Sequence, residues 1–384
     1  MADKLGVGVI GVGFGEKIHI PGFQEHPRTR VAAVAARRPA RAAEVAEAFD
    51  IPFATDDYQE LVAHRDVDIV SIATPPHLHV PMALAAIAAH KPFLVEKPLA
   101  HTLDAAKEIA ERAAAARVPG VIDFEFRFVP AWMLMHDLLG AGSIGRLRYV
   151  SVSWLVDILA DPDGRRFGWA SEKEAGGGIL GALGSHVFDY LHWFLGDIRE
   201  AQGFLLTAIG ERALPDSRQR AAVTADDAFG AHLRFASGLL AAVEVCAVGW
   251  HRRGHRITVY GDDGTIELRQ ESPADYIHEA ALYGGRAGDP VLEEVAIPEE
   301  MVLPREFPDG RLAPFIQVVD ALLRAIDGHG RPGDPDLAAG LRAQHVMEAV
   351  ARSQARGGWM ATGTGRGGTA ARRRPAPPPG AGPS

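Results

Sequence analysis

The sequence predicts an α/β fold in two parts: an N-terminal doubly wound parallel sheet, then an α+β domain with a mainly antiparallel sheet. In the first part, short apolar runs alternate with helical segments up to residue 124. Strands that alternate with helices in this way indicate a parallel sheet. Beyond residue 125, several strand-like runs follow one another without helices between them, and such runs favour an antiparallel sheet.

The first strand ends in the glycine-rich stretch GVGFG. A strand that leads through such a turn into a helix is typical of dinucleotide sites, because a pyrophosphate approaches the backbone closely and meets the helix N–H groups. Gly11 and Gly13 fit the usual G-x-G-x-x-G spacing, and Phe14 and Gly15 complete the candidate cofactor turn. Glu16 stands at the third glycine position, so we expect its carboxylate to point away from a bound phosphate.

The remaining elements follow in order. In the first part we expect helices over 17–26, 39–49, 80–90 and 103–117, and strands over 30–36, 66–73, 92–95 and 120–124. In the second part we expect helices over 130–139 and around 186–195, and strands over 148–156, 201–209, 228–235, 238–245, 255–260 and 265–268. Two closing helices within 314–355 pack back onto the fold. The predicted domains are therefore 1–124 and 125–360.

The end of the second strand indicates which cofactor binds. An NAD site places an acidic residue about 20 residues past the glycine turn, whereas an NADP site supplies arginine for the 2′-phosphate. Here the strand ends in Arg37 and Arg38, without an acid. This pattern favours NADP(H), with NAD(H) as the alternative. The two arginines are otherwise ordinary surface charges at the start of the next helix.

The ends of the third and fourth strands carry further candidates. Thr74 and Pro75 follow one strand, and Glu96 and Lys97 follow the next. Because ligands of doubly wound sheets lie at the carboxyl ends of the strands, we expect these residues to lie near the cofactor.

The composition excludes several classes of protein. The chain has 384 residues, 47% hydrophobic and 23% charged, which is ordinary for a soluble globular protein of two or three domains. Its single cysteine, Cys246, allows no internal disulfide and no cysteine-based metal site, and the histidines show no metal-ligand pattern. We expect no membrane span, no signal peptide and a cytoplasmic location. The net charge of −9 argues against nucleic-acid binding.

The C-terminal stretch 361–384 is predicted to be a disordered tail. It is rich in glycine, proline and alanine, and its charges are four arginines: Arg366, Arg372, Arg373 and Arg374. A solvated extension is favoured over a basic binding segment.

Taken together, the motifs resemble the glucose–fructose oxidoreductase / inositol dehydrogenase / rhizopine catabolism (Gfo/Idh/MocA) family over roughly residues 5–360. The motifs are GVG at 11–13, TPPHLH at 74–79, EKP at 96–98, GGG at 176–178, GSH at 184–186 with Asp189, and GLRA at 340–343.

The resemblance implies a Rossmann domain and a sheet domain that often forms dimer contacts, hence a homodimer or homotetramer. It implies the reversible oxidation of a secondary alcohol of a sugar, inositol or related polyol. By position, Lys97 contacts the reacting oxygen, Glu96 lies near the nicotinamide ribose and His186 is the acid/base. Thr74, Pro75 and His79 fall among the cofactor contacts. The chain departs from the family at Ala182, where an aspartate is common, and at Ala170, where an arginine often follows the tryptophan.

The chemistry of the residues agrees with these roles. The cofactor carries the hydride, while the protein positions the carbinol carbon and handles the proton. Histidine has the unperturbed pKa nearest to neutrality, and a lysine stabilises alkoxide character. Asp189 lies three residues after His186, so on a helix its carboxylate could orient the imidazole. Arg127 and Trp169 are candidate pocket residues, with a structural role equally open.

Three functions remain open from the sequence. The first is an NAD(P)-dependent oxidoreductase acting on a sugar or polyol. The second is a non-catalytic NADP-sensing protein of the same fold, which Ala182 favours and Lys97 with His186 disfavour. The third is a dihydrodiol or biliverdin-type reductase, which would differ in the hydrophobicity of its pocket.

Overall fold

The structure is a computed structural model that describes residues 4–271, 280–302, 305 and 307–363. Within these residues, six strands form a parallel sheet in the N-terminal part, in the order β3-β2-β1-β4-β5-β6. Their bounds are β1 (Leu5–Ile10), β2 (Thr29–Ala35), β3 (Phe53–Thr55), β4 (Ile69–Ile72), β5 (Phe93–Val95) and β6 (Gly120–Ile122). The predicted doubly wound sheet is confirmed.

The helices between these strands are short, and all of them except the third, which was not predicted, end near the predicted positions. They are α1 (Ile20–Glu25), α2 (Pro39–Ala48), α3 (Tyr58–Ala63), α4 (His79–Ala88) and α5 (Leu103–Ala116). A π-helical segment, Gly15–His19, leads directly into α1, and Pro21 lies in the first turn of α1. The side chain of Thr102 accepts a hydrogen bond from the Ala105 N–H and so caps α5.

The second sheet has nine described strands in the order β16-β15-β14-β13-β7-β12-β11-β8-β17. Its pairs are antiparallel except for β7 with β12. The bounds are β7 (Leu147–Leu155), β8 (Ile198–Leu206), β11 (Ala228–Phe235), β12 (Leu240–Cys246), β13 (Gly254–Gly261), β14 (Gly264–Gln270), β15 (Ala280–Arg286), β16 (Glu293–Val295) and β17 (Met360–Ala361), while β9 (Glu211–Ala213) and β10 (Arg220–Ala222) form a separate hairpin. The mainly antiparallel sheet is confirmed.

Four helices of the second part divide between the two sheets. Their bounds are α6 (Pro130–Gly140), α7 (Ser185–Leu195), α8 (Leu312–Ile326) and α9 (Leu337–Arg356). Helices α7 and α9 share a core with the large sheet, whereas Phe315, Val318 and Leu322 of α8 pack with Val7 and Val9 of β1. The chain thus returns to complete the N-terminal core with a helix that lies far along the sequence.

The ordered fold extends beyond the predicted boundary at residue 360. Ala361 of β17 pairs with Glu200 of β8, and the Thr362 hydroxyl donates to the carbonyl of Ile198 at 2.7 Å. Residues 361 and 362 therefore belong to the ordered fold and not to the predicted tail, because both bond to β8. The rest of the predicted tail, 364–384, lies outside the described residues. No helix in the described ranges is long and apolar enough to cross a membrane.

Candidate active site

The glycine turn after β1 has the geometry that a pyrophosphate needs. Gly11 has φ +102°, and a Cβ there would lie 2.4 Å from the Ala73 carbonyl oxygen, so this position requires glycine. A Cβ at Gly13 would meet no described atom within 4 Å and would instead enter the space above the turn. No side chain caps the helix that starts at Gly15. Its first N–H groups are therefore available to an anion, and the turn fits a dinucleotide.

Two side chains at the end of the turn, those of Phe14 and Glu16, contact residues of other elements. The ring of Phe14 lies 5.8 Å from the ring of His19 and 5.1 Å from the Arg311 guanidinium, and its side chain is partly buried. The carboxylate of Glu16 forms an ion pair with Arg41 of α2. This pairing neutralises the charge that the sequence places in the third glycine position.

The carboxyl end of β2 presents two cations to solvent. Arg37 and Arg38 are exposed, and within the described part of the chain neither guanidinium forms an ion pair. Since β2 lies next to β1 in the sheet, both arginines stand beside the strand that feeds the glycine turn.

The loop after β4 brings Thr74 next to Gly11 of the glycine turn, and Pro75 precedes the 3₁₀ turn Pro76–Leu78. His79 is fully buried, with Nε2 2.9 Å from the Thr74 carbonyl oxygen and Nδ1 3.2 Å from that of Leu99. Both ring nitrogens of His79 are thus turned to backbone carbonyls, and a contact of His79 with the cofactor stays a prediction. Its position ties the loop after β4 to the segment after β5.

Lys97 and His186 line one cavity between the two sheets. Its volume is about 170 Å³, and its remaining walls are Phe126, Trp154, Val156, Ile158, Leu183, Gly254, His255 and Gln270. Lys97 comes from the end of β5, and its ammonium donates to the Ala182 carbonyl at 3.1 Å. His186 comes from the first turn of α7. The two residues are 89 positions apart in the sequence but share one cavity wall.

The environment of His186 disfavours the charged imidazolium. Burial, together with the positive charge of Lys97 and the neighbouring His255, lowers the pKa of His186 well below its usual value. The ring of Phe126 packs against the imidazole at a centroid distance of 4.7 Å, and Phe124 packs at 5.8 Å. His186 is therefore neutral near pH 7.

A glycine-rich loop and one aspartate position the start of α7. The carboxylate of Asp226 accepts a hydrogen bond from the Leu180 N–H at 2.7 Å. Leu180 is the first residue of the π-helical segment Leu180–Gly184 that leads into α7. Gly178 has φ +110°, and a Cβ there would lie 2.3 Å from that carboxylate. The GGG run thus allows the loop to pass close to Asp226 and brings His186 to the cavity.

Beneath Lys97 lies a buried cluster of hydrogen-bonded groups. His19 contacts the Ser71 hydroxyl at 2.7 Å through Nδ1 and Glu96 Oε1 at 3.0 Å through Nε2, while Asp123 Oδ2 lies 3.8 Å from Nε2. Burial would raise the pKa of Glu96, but the hydrogen bond and charge of His19 and the charge of Lys97 lower it to about 2. Burial and the adjacent carboxyls of Glu125 and Glu96 hold the pKa of Asp123 well above its usual value. The surroundings thus favour the ionised form of Glu96 and the protonated form of Asp123.

Asp189 does not orient His186, contrary to the expectation from its spacing. Its carboxylate accepts two hydrogen bonds from Arg127, at 2.8 Å from Nε and 2.6 Å from Nη2, and Arg127 also donates to the Gly333 carbonyl at 2.8 Å. Both side chains are buried. The planar guanidinium matches the carboxylate in a bidentate pair, so both residues are occupied. Arg127 and Asp189 therefore join the turn after β6 to α7, and neither lines the cavity.

Trp169 also lies outside the cavity wall. Its side chain is 43% exposed on the short 3₁₀ segment Trp169–Ser171. The prediction of Trp169 as a pocket residue is not supported by this placement, since Trp169 is not among the residues that line the cavity of Lys97 and His186.

Sequence reasoning missed several residues of the site. Asp123 and Glu125 follow β6, so the strand-end argument used for Glu96 would have found them. Other residues had no local signal, because the second sheet brings them in from distant strands. These are Trp154, His255 and Gln270.

Comparison with known proteins gives the family. Residues 5–123 match the profile of the oxidoreductase family, NAD-binding Rossmann fold (GFO_IDH_MocA), and residues 132–267 match the GFO/IDH/MocA C-terminal domain. An uncharacterized oxidoreductase of Synechocystis is 38% identical over 94% of this chain and 96% of its own. Levoglucosan dehydrogenase of Pseudarthrobacter phenanthrenivorans is 31% identical over 70% of this chain and 74% of its own.

A solved structure extends the likeness to three dimensions. Levoglucosan dehydrogenase in complex with NADH and levoglucosan superposes with a TM-score of 0.84 at 27% identity, over 94% of this chain and all of the other. Two family profiles, a full-length relative and the parallel sheet with its glycine turn agree. The chain belongs to the Gfo/Idh/MocA family and is an oxidoreductase with a nicotinamide cofactor.

Proposed function

We propose that the protein is an NADP(H)-dependent oxidoreductase that interconverts a secondary alcohol and a ketone on a sugar, inositol or related polyol. The observation that carries this proposal is the shared cavity of Lys97 and His186 at the carboxyl edge of the parallel sheet. A bound nicotinamide would accept or supply the hydride at this edge. The protein then has to hold the alcohol oxygen and move its proton.

Each of the two residues has one task. The ammonium of Lys97 stabilises negative charge that develops on the reacting oxygen, and in a partly dehydrated cavity such a donor is worth more than in water. His186, which is neutral, accepts the hydroxyl proton during oxidation and returns it during reduction.

The walls of the cavity favour a small, hydroxyl-bearing substrate. Trp154 stacks on His255 at a centroid distance of 4.1 Å and offers an apolar face, as sugar rings require. Gln270 and His255 also line the cavity, and they add polar side chains to its apolar walls. Polar groups of this kind suit the hydroxyl groups of a ligand. The levoglucosan bound by the superposed dehydrogenase belongs to this chemical class.

The preference for NADP(H) rests on Arg37 and Arg38. Both guanidiniums are exposed beside the glycine turn, and no acidic residue follows β2 where an NAD site would have one. The 2′-phosphate would supply the anion that these arginines lack. The solved relative was captured with NADH, so the choice of cofactor needs its own measurement.

The test combines binding with turnover. NADPH and NADH are titrated against the pure protein by fluorescence, and NADP⁺ or NADPH is then tested with pyranoses, 1,6-anhydrosugars, inositols and keto-sugars by the absorbance of the reduced nicotinamide. The proposal predicts NADPH binding at least about tenfold tighter, or about 1.4 kcal/mol, and turnover with a member of this panel. Binding without turnover of any of these substrates would favour an NADP sensor instead. Turnover confined to aromatic dihydrodiols or biliverdin would favour the third function.

We also expect a homodimer or homotetramer. The face of the large sheet that carries no helix exposes Tyr149, Phe204, Leu206, Leu240 and Tyr260. Such an apolar patch marks an interaction surface. A Phe204→Glu variant should dissociate the assembly in analytical ultracentrifugation, whereas a monomeric wild-type protein would contradict the expectation.

A further inference from the structure

The carboxyl group of Glu125 faces His186 without a hydrogen bond at one of its oxygens. Glu125 opens the 3₁₀ turn Glu125–Phe128 after β6, and its side chain is buried. Its Oε2 lies 4.0 Å from His186 Nε2 and has no hydrogen-bond partner. Such an oxygen is costly to bury, so its retention beside the proposed acid/base calls for a function.

His186 needs an onward acceptor for a proton. The imidazolium is disfavoured by burial and by the charge of Lys97. Neither position that the sequence analysis considered can supply this acceptor. Position 182, where the family often has an aspartate, is alanine, and the carboxylate of Asp189 is paired with Arg127. Within the described residues, the carboxyl nearest to His186 Nε2 is that of Glu125.

We propose that Glu125 is the proton-storing partner of His186, a positioning residue that replaces the aspartate absent at position 182. The inference rests on the proposed function. During oxidation the substrate O–H bond breaks and its proton passes to Nε2 of His186. The C–H bond breaks with hydride transfer to the nicotinamide, and the oxygen electron pair forms the C=O bond. The proton then moves from Nε2 to the Glu125 carboxylate, which becomes a carboxylic acid.

The 4.0 Å gap is compatible with this step. Catalytic hydrogen bonds are often long in unliganded structures and shorten when substrate is bound, and one water can also bridge such a gap. Regular secondary structure positions both groups, because His186 lies in α7 and Glu125 begins the 3₁₀ turn after β6.

The surrounding charges tune Glu125 for storing a proton. Burial raises the pKa of Glu125 to about 7, with Lys97 opposing and Glu96 reinforcing the rise. The pKa of Glu96 is lowered and that of Asp123 is raised well above its usual value, so Glu125 is the one of these three neighbouring carboxyls whose pKa lies near neutral pH. The titratable and charged groups that face it are His186, Lys97, Glu96, Asp123 and Arg311. Environments that separate the pKa values of neighbouring carboxyls are typical of acid/base pairs.

The first test needs no substrate. Infrared difference spectra of the unliganded protein across neutral pH should show a carboxyl group that deprotonates near pH 7. Glu125→Gln should remove this signal, whereas Glu111→Gln, a change at an exposed position on α5, should leave it. An unchanged signal in Glu125→Gln would overturn the proposal, even if the wild-type enzyme proves active.

The second test uses the substrate found in the panel. In oxidation, kcat/KM of the wild-type enzyme should fall as pH drops through about 7, because the storing carboxylate becomes protonated. Glu125→Gln should lose this limb of the profile and about tenfold to a hundredfold in kcat, within the contribution of assisted proton transfer, with KM nearly unchanged. A retained limb with a raised KM would show a purely structural role.

A conservative variant distinguishes the loss of the carboxyl group from misfolding of Glu125→Gln. Glu125→Asp keeps the carboxyl on a shorter side chain, so it should retain an ionisation near neutral pH with a slower proton step. If neither cofactor binding nor turnover is found in the wild-type protein, the proposed function fails, and the infrared result still decides whether Glu125 titrates. The two failures are thereby distinguishable.

Discussion

The cofactor side and the substrate side of the site are built in different ways. On the cofactor side, backbone geometry dominates: Gly11 and Gly13 shape a turn, and adjacent parallel strands deliver the other residues at their carboxyl ends. On the substrate side, side chains from α7 and from several strands of the large sheet meet in one cavity. The comparison teaches that affinity for the cofactor and chemistry on the substrate should be separable by mutation.

Mutations at the contact between Arg127 and Asp189, which joins the turn after β6 to α7, should have the largest effect on stability. Asp189→Ala would leave the buried Arg127 guanidinium without its carboxylate, and removing one partner of a buried pair costs roughly 3–5 kcal/mol. The free energy of unfolding from urea denaturation checks this. Glu200→Ala, which breaks a half-exposed pair with Arg234, should cost far less. Equal losses in both variants would mean that the contact between Arg127 and Asp189 carries no special stability.

Lys97→Met should separate binding from chemistry. We expect kcat to fall by about 10²–10³, as for the loss of one oxyanion donor, while the Kd for NADPH changes by less than about twofold. Steady-state kinetics and fluorescence titration measure the two quantities. A variant that loses NADPH affinity in step with kcat would contradict the separation of the two sides.

Gly13→Ala should produce the opposite pattern. The added Cβ meets no described atom within 4 Å, so the melting temperature should stay near that of the wild type. Because the methyl group occupies the space proposed for the pyrophosphate, NADPH affinity should fall by about tenfold or more, or about 1.4 kcal/mol. Gly11→Ala is the matched comparison, and it should destabilise the fold because of its φ of +102° and the contact with the Ala73 carbonyl. Unchanged affinity in Gly13→Ala would place the pyrophosphate elsewhere.

The smallest expected effect concerns the choice of cofactor. Arg37→Ser combined with Arg38→Ser should weaken NADPH binding by about tenfold and leave NADH binding within about twofold, since NADH lacks the 2′-phosphate. Competitive titration of the two cofactors measures this ratio. If the double variant weakens both cofactors equally, the arginines act as a general positive field and do not select NADP(H).

The sequence was most informative where local rules apply. Apolar runs and glycine positions identified the parallel sheet, and the strand-end argument found Thr74, Glu96 and Lys97 at one edge. Helical spacing failed for Asp189, because spacing says which residues share a helix face but not which residue faces them from elsewhere. Arg127, which lies 62 positions away in the sequence, forms hydrogen bonds to the Asp189 carboxylate. For a related reason, the loop motif did not show that the ring of His79 is buried against two backbone carbonyls.

The substrate side needed the fold. Gln270, His255 and Trp154 sit on three strands of the large sheet, and their meeting depends on strand order, which no local pattern specifies. The pairing of β13 with β7 on one side and with β14 on the other brings these strands together. Similarly, α8 could be predicted as an amphipathic helix, but not that it would complete the core under β1.

The most direct test of the account follows a hydride. The protein is given NADPH that carries deuterium at both positions of the reactive ring carbon, together with the keto-sugars of the panel, and the products are examined by mass spectrometry. We predict one deuterium at the carbinol carbon of the alcohol product, formed by the wild-type enzyme and almost absent with Lys97→Met. Products without deuterium, or no product although NADPH binds, would contradict hydride transfer in the cavity of Lys97 and His186.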